Sequence, residues 1–318
     1  MENGIAILND LNWGYRAARV LHVANTLSLF TILSEKPMSA EQICRTIKSD
    51  PEMMKKLLIA CTSMGLLEKE GNQYKNTELA QTYLVRGRKL YQGDIIAHAA
   101  TVWDFWSRLA DHVTLGGERV TINPDEHRNF IMGMHNIAVA GRAQLFIDSV
   151  DLTGRKKLFD VGGGPGTYSI VACRRYPELK AVVFDLPETI AITKKIISKE
   201  GMQDVITVRE GDWETDDFGE DNDVVLLSDV MHGPGSKAQM KLKKAYDSLV
   251  CGGLVVIQEF LLNDRKTGPL IPALFNVMVG AYSQAELFGI VEETGFIKPK
   301  LVISSEELGS SWVTADKR

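Results

Sequence analysis

The sequence predicts an α/β protein whose C-terminal half forms a doubly wound, mostly parallel sheet, preceded by a helical region with a winged-helix unit. Three observations predict it. An apolar run, Leu158 to Val161, stops on Gly162-Gly163-Gly164-Pro165-Gly166 and passes at once into a helical stretch from Tyr168 to Tyr176. Strand-like runs at 157–161, 180–184, 205–209, 223–228 and 253–260 alternate with helical stretches, which is the order of parallel crossover units. Ahead of these, two short helical patterns and a hairpin fall between 39 and 75. The expected boundaries are 1–95 for the winged-helix region, 96–150 for a helical linker and 151–318 for the sheet domain.

Each element has a local reason. From Leu11 to Leu33 the residues Val20, Leu21, Ala24, Leu27 and Ile32 fall near one helical face, and Lys36-Pro37 ends the pattern. Ser39 reads as an N-cap with Gln42 placed to close a capping box, and Asp50-Pro51 opens a second helix, giving helices at about 39–47 and 51–64. Gly65 to Lys75 reads as a hairpin turning at Gly71-Asn72. Residues 88–150 are helical in pattern and rich in large apolar groups, with Trp103, Phe105, Trp106, Phe130, Ile131, Met132 and Met134. After the fifth strand come an apolar stretch from Leu270 to Gly280, a helix at 283–294, and two runs, Lys300 to Ile303 and Ser311 to Thr314, read as a hairpin on the sheet edge.

Composition narrows the function. The 318 residues can bury a substantial core, and 45% hydrophobic with 24% charged residues is ordinary for a soluble globular chain. A net charge of −5 argues against non-specific nucleic-acid binding. The helix at 51–64 carries only Lys55 and Lys56 as cations, too few for a DNA-reading helix, so the winged unit is read as an interaction module. Cys44, Cys61, Cys173 and Cys251 form no CxxC pair, and neither a disulfide framework nor a metal is expected. With no signal-peptide pattern and no run of ~20 apolar residues, the cytoplasm is the expected compartment and no membrane span is expected.

The Gly-rich turn carries the chemistry. Glycine lets backbone approach a ligand closely, and the N–H groups of the following helix face the turn. Asp185 ends the next strand, 23 positions after Gly162, close to the roughly 20-residue spacing at which an acid meets ribose hydroxyls. An adenosine-containing ligand is therefore expected. The glycines fall at 162, 164 and 166 with Thr at 167, which is not the dinucleotide spacing, and there is no G-K-[ST] for a triphosphate.

These residues, with the motifs F-D-V-G-G-G-P-G-T at 159–167, F-D-L-P at 184–187, G-D-W-E at 211–214, D-V-M-H at 229–232, C-G-G-L-V-V-I-Q-E at 251–259, D-R-K-T-G-P-L at 264–270 and E-E-T-G-F at 292–296, resemble the class I S-adenosylmethionine-dependent O-methyltransferases. The resemblance is to the caffeate and hydroxyindole O-methyltransferase family and covers nearly the whole chain. It implies a Rossmann-like sheet, a homodimer through the N-terminal winged helix, S-adenosyl-L-methionine as cofactor and a small apolar or aromatic substrate. Gly162, Gly164 and Gly166 would admit the methionine part, Asp185 the ribose, and Asp212 with Trp213 the adenine, with Leu186 and Ser228 also on the cofactor side. Trp106, Phe130, Met134, Asn276 and Met278 would line the substrate pocket, Met adapting to irregular shapes.

His232 falls where the family has its general base, and an imidazole titrating near neutrality suits proton removal from a hydroxyl. The chain departs from the family around it. Gly233-Pro234-Gly235 replaces Asp-Trp, Ser228 and Asp229 stand where a Lys or Arg is usual, and the Glu-Arg-Thr loop whose Glu orients the histidine is missing between Val279 and Glu286. Asp229, Glu259, Glu306 and Glu307 are candidates to replace that Glu. The expected reaction is methyl transfer to a hydroxyl, with a thiol or another acidic nucleophile as an alternative acceptor. Non-methylating chemistry of hydroxylase, decarboxylase or cyclase type, and a ligand-sensing DNA-binding regulator, are the competing expectations.

Overall fold

The computed structural model describes residues 4–116 and 126–318. The chain divides into two compact units, one over Met1–Leu109 and Asn123–Asn136, the other over Ala110–Ile122 and Ile137–Arg318.

The first unit begins with α1 (Gly4–Thr26) and α2 (Leu29–Ile32), separated by Ser28 in a left-handed conformation, φ 55°. The single helix expected over 11–33 is thus longer at its start and broken near its end, because a left-handed residue cannot continue a right-handed helix. Then come β1 (Met38–Ser39), α3 (Ala40–Ile47), α4 (Pro51–Ser63), β2 (Leu67–Glu70) and β3 (Gln73–Asn76). Ser39 and Gln42 close the predicted capping box, and Asp50 caps α4 through the Met53 N–H at 2.8 Å. The strands pair antiparallel in the order β1-β3-β2, and with α3 and α4 they make the winged helix. Its core is apolar, built on Leu29, Phe30, Ile43, Leu58, Leu67 and Tyr74. α5 (Glu78–Tyr83), α6 (Gly93–Thr101), α7 (Trp103–Ser107), α8 (Leu109–Leu115) and α9 (His127–Ile137) follow. A π-helical segment, Ala138–Arg142, and α10 (Ala143–Ser149) lead to the sheet.

The second unit is built on β4 (Lys157–Val161), β5 (Lys180–Asp185), β6 (Ile206–Glu210), β7 (Asn222–Ser228), β8 (Leu249–Glu259), β9 (Ile297–Ser305) and β10 (Ser310–Asp316). Helices α11 (Thr167–Arg175), α12 (Pro187–Lys199), α13 (Ala238–Ser248), α14 (Leu270–Met278) and α15 (Gln284–Glu293) connect them. Strand order is β6-β5-β4-β7-β8-β10-β9, parallel from β6 to β8 and antiparallel from β8 to β10 and β9. The five expected parallel strands and the terminal hairpin are all present. The order reverses at β4, so the ends of β4 and β7 open into the crevice where doubly wound sheets bind ligands. Central strands read as continuous apolar runs because helices cover both faces. Val224 to Leu227 and Val255 to Ile257 are fully buried. Among the described residues, no helix is long and apolar enough to cross a membrane.

Candidate active site

The turn after β4 is fixed by backbone contacts. The N–H groups of Gly162 and Gly163 both donate to the Phe184 carbonyl, at 2.8 and 3.3 Å. Asp185 accepts from the Gly164 N–H at 2.8 Å and from the Leu186 N–H at 2.7 Å, so its carboxylate is held in place by the loop it was expected to partner. Gly162 has φ +63°, and a Cβ there would lie 2.7 Å from Trp213 Cζ3 and 2.8 Å from Val230 Cγ1. Glycine is required twice over, for the backbone angle and for the space.

Beside this turn lies a cavity of about 220 Å³, lined by Phe184, Asp185, Leu186, Gly211, Asp212, Trp213 and Glu214. It joins the predicted ribose and adenine residues in one place. Asp212 also shapes it, its Oδ1 accepting from the Glu214 N–H at 2.8 Å. Lys241, buried on α13, places its Nζ 4.3 Å from the Trp213 ring centre. The same ammonium donates to the carbonyls of Val230 at 2.5 Å and Ser236 at 2.9 Å, tying Trp213 to the loop that carries His232. Under the Gly-rich turn, Asp160 is fully buried and accepts from Ser169 Oγ at 2.6 Å. Burial pushes its carboxyl up to about 7, against the Ser169 bond and with help from the nearby Asp185 charge.

His232 sits past the end of β7. Its Nδ1 is 2.8 Å from Glu259 Oε2, and Glu259 Oε1 accepts the Met231 N–H at 2.7 Å. A carboxylate accepts only, so Nδ1 carries the proton, and in the neutral imidazole Nε2 presents a lone pair. Of the four acids considered from sequence, Glu259 makes this bond; Glu306 and Glu307 are exposed in the β9–β10 turn. Burial lowers the imidazole's proton affinity, but the charge and hydrogen bond of Glu259, with the charge of Asp229, outweigh it. The His232 pKa therefore lies above the ordinary value.

The glycines that replace the expected side chains after His232 have a partner of their own. A Cβ on Gly233, at φ +58°, would lie 2.9 Å from the Gly280 Cα and 3.0 Å from the Ala281 N. The turn at 233 and the shortened segment at 280 thus pack backbone to backbone. Phe275 on α14 meets the His232 ring edge-on at 4.8 Å and stacks on Phe260 at 4.0 Å.

The other predicted residues are placed as follows. Ser228 Oγ donates to Gln258 Oε1 at 2.7 Å. Asn276 is exposed, and its Oδ1 accepts the Ala281 N–H at 2.9 Å, closing the end of α14, where Met278 is half-buried. Trp106, Phe130 and Met134 are half-buried in the first unit, with Phe130 5.1 Å from the His98 ring. Sequence reasoning did not single out Arg142, Asp160, Lys241, Phe260 or Phe275. Arg142 and Lys241 are cations buried within helical patterns, and spacing alone does not mark them. Asp229, His232 and Glu259 place their potential ligand atoms within 4.8 Å of one another, yet Glu259 is engaged by His232 and Met231, and one Asp229 oxygen by Arg142.

Residues 114–296 match the O-methyltransferase domain, and residues 10–86 the O-methyltransferase dimerisation domain. The chain belongs to the O-methyltransferase family. Among its relatives, a 3-hydroxy-5-methyl-1-naphthoate 3-O-methyltransferase of Streptomyces sahachiroi is 32% identical over 292 residues, 87% of this chain and 84% of that protein. Bovine (Bos taurus) acetylserotonin O-methyltransferase is 29% identical over 297 residues, covering 86% and 85% of the two chains. The crystal structure of human N-acetylserotonin methyltransferase in complex with SAM superposes with a TM-score of 0.88 at 23% identity, over 100% of this chain and 98% of that one.

Proposed function

We propose that this protein transfers a methyl group from S-adenosylmethionine to a phenolic hydroxyl of a small aromatic molecule, with His232 as general base. The observation that carries the reading is the Glu259–His232 pair at 2.8 Å, which fixes the tautomer and leaves Nε2 free to accept a proton. The cofactor would be held by Gly162, Gly164, Gly166, Asp185 and Leu186, with Asp212 and Trp213 at the adenine and Ser228 nearby. The cavity from Phe184 to Glu214 fits that assignment. When bound, S-adenosylmethionine supplies an electrophilic methyl on a sulfonium centre.

The protein's own part is orientation and proton removal. His232 takes the hydroxyl proton on Nε2 as attack proceeds, and Glu259 stabilises the imidazolium that results. Phe260 and Phe275 offer aromatic surface beside the imidazole, which suits a flat substrate. Asn276 and Met278, on the helix that carries Phe275, are the proposed pocket residues. Both relatives named above bear the names of enzymes that methylate hydroxyls of aromatic molecules. The dimerisation domain supports a homodimer.

The test is turnover of a panel of small phenols, thiols and amines with methyl-labelled cofactor. The expected result is labelled methyl ether from a phenol, with S-adenosylhomocysteine formed in equal amount. His232→Ala is expected to slow turnover by about 10²–10⁴-fold with cofactor affinity unchanged. Unchanged turnover in that variant removes the base assignment, and intact cofactor after substrate conversion removes methyl transfer.

A further inference from the structure

Arg142 is buried at the end of the π-helical segment, where Gly141 leaves helical geometry at φ 155° and packs against Leu308. Its guanidinium reaches three partners. Nε donates to the Leu308 carbonyl at 2.9 Å and Nη2 to the Gly309 carbonyl at 3.3 Å, both in the β9–β10 turn. Nη1 donates to Asp229 Oδ2 at 3.0 Å, and the guanidinium carbon lies 4.8 Å from the Phe260 ring centre. Asp229 stands three residues before His232, in a left-handed conformation at φ 52°, with its backbone N–H donated to the Gln258 carbonyl at 2.9 Å. It is therefore a fixed carboxylate close to both His232 and Glu259.

Two carboxylates beside one imidazole would compete for its proton, and each would disfavour ionisation of the other. A cation paired with one of them weakens that competition. We propose that Arg142 is a positioning residue for the reaction: by balancing Asp229 and tying it to the β9–β10 turn, it keeps Glu259 the main partner of the His232 proton. The bearing on turnover rests on the reading of His232 as the base.

Other groups face the same place. Lys241 opposes protonation of His232, and the half-buried Tyr168 lies near Asp229, its own ionisation raised above the usual range by desolvation and by that charge. Burial pushes the Asp229 carboxyl up to about 6, with Arg142 pulling against it and Glu259 adding to it. Without the guanidinium, the charge of Asp229 stands uncompensated beside Glu259, in a site where charge is poorly solvated.

The test is an imidazole ¹³C NMR titration of the intact protein, with the His232 signal assigned by its loss in His232→Gln. Arg142→Gln is expected to raise the His232 midpoint by about one pH unit, and Asp229→Asn to lower it by about as much. The double variant is expected between the two, near the parent. Arg142→Lys keeps the charge and is expected to leave the midpoint within a few tenths of a unit. If Arg142→Gln is not recovered folded, Asp229→Asn and the double variant carry the test, the first lowering the midpoint and the second restoring it. Single variants that leave the midpoint unmoved, or move it in the same direction, overturn the proposal. The acid limb of turnover is measured in parallel. If it follows the midpoint in each variant, both readings stand. If the midpoint moves and the limb does not, the base assignment of His232 falls, and with it Arg142's role in turnover, while the charge balance remains.

Discussion

His232 and Glu259 form a unit because β7 and β8 are parallel neighbours whose ends are in register, Ser228 opposite Gln258. The residues just beyond that pair meet for the same reason. Glu259→Gln keeps an acceptor but loses the charge that raises the His232 pKa. Its acid limb is expected at lower pH than in the parent, with turnover reduced at its plateau, as a pH–rate profile reports directly. Gly162 gives a second prediction. In Gly162→Ala the new Cβ would press on Trp213 and Val230 at a backbone angle an L residue rarely adopts. The cost is expected at about 1–3 kcal/mol of stability, with cofactor affinity lost by calorimetry. From sequence, Gly162, Asp185 and His232 were legible through motif position. Glu259 was one of four possible acids, since spacing along a chain does not report which strands lie side by side.

At the scale of elements, caps and turns were the most legible features, because Ser39, Asp50 and Gly71-Asn72 act through near neighbours. The break at Ser28 was not, since nothing in its residue type demands a left-handed angle. The junction of β4 and α11 carries a pH-dependent load. Asp160 binds its proton more tightly when folded, up to about 7 from 3.8, chiefly through burial. Between those values the folded state holds a proton that the unfolded chain has released, so stability falls as pH rises through this window. Asp160→Asn has no such titration. Its melting temperature in cofactor-free protein is expected to decline less than the parent's between pH 5 and pH 7. Parallel melting curves across that range would show that the carboxyl titrates normally.

For the whole molecule, the apolar surface of α1 is the feature that a single chain leaves unsettled. Ile5, Leu8, Leu11 and Trp13 are each more than 60% exposed. A patch of this kind on a helix at the edge of the dimerisation domain asks for a covering surface. Leu8→Lys with Leu11→Lys is expected to shift the protein from dimer toward monomer in light scattering behind size exclusion. An unchanged mass would place the subunit contact elsewhere.

The sequence by itself determined the strand and helix order, the Gly-rich turn with its acid, and the histidine after the fourth strand. These follow from period, propensity and motif, which act over a few residues. Only the tertiary structure decided what surrounds that histidine. Glu259 reaches it through strand register, Gly233 and Gly280 fit because neither has a Cβ, and Arg142 arrives from a helix 87 residues before Asp229. Such contacts depend on how distant segments pack, and no local pattern encodes them.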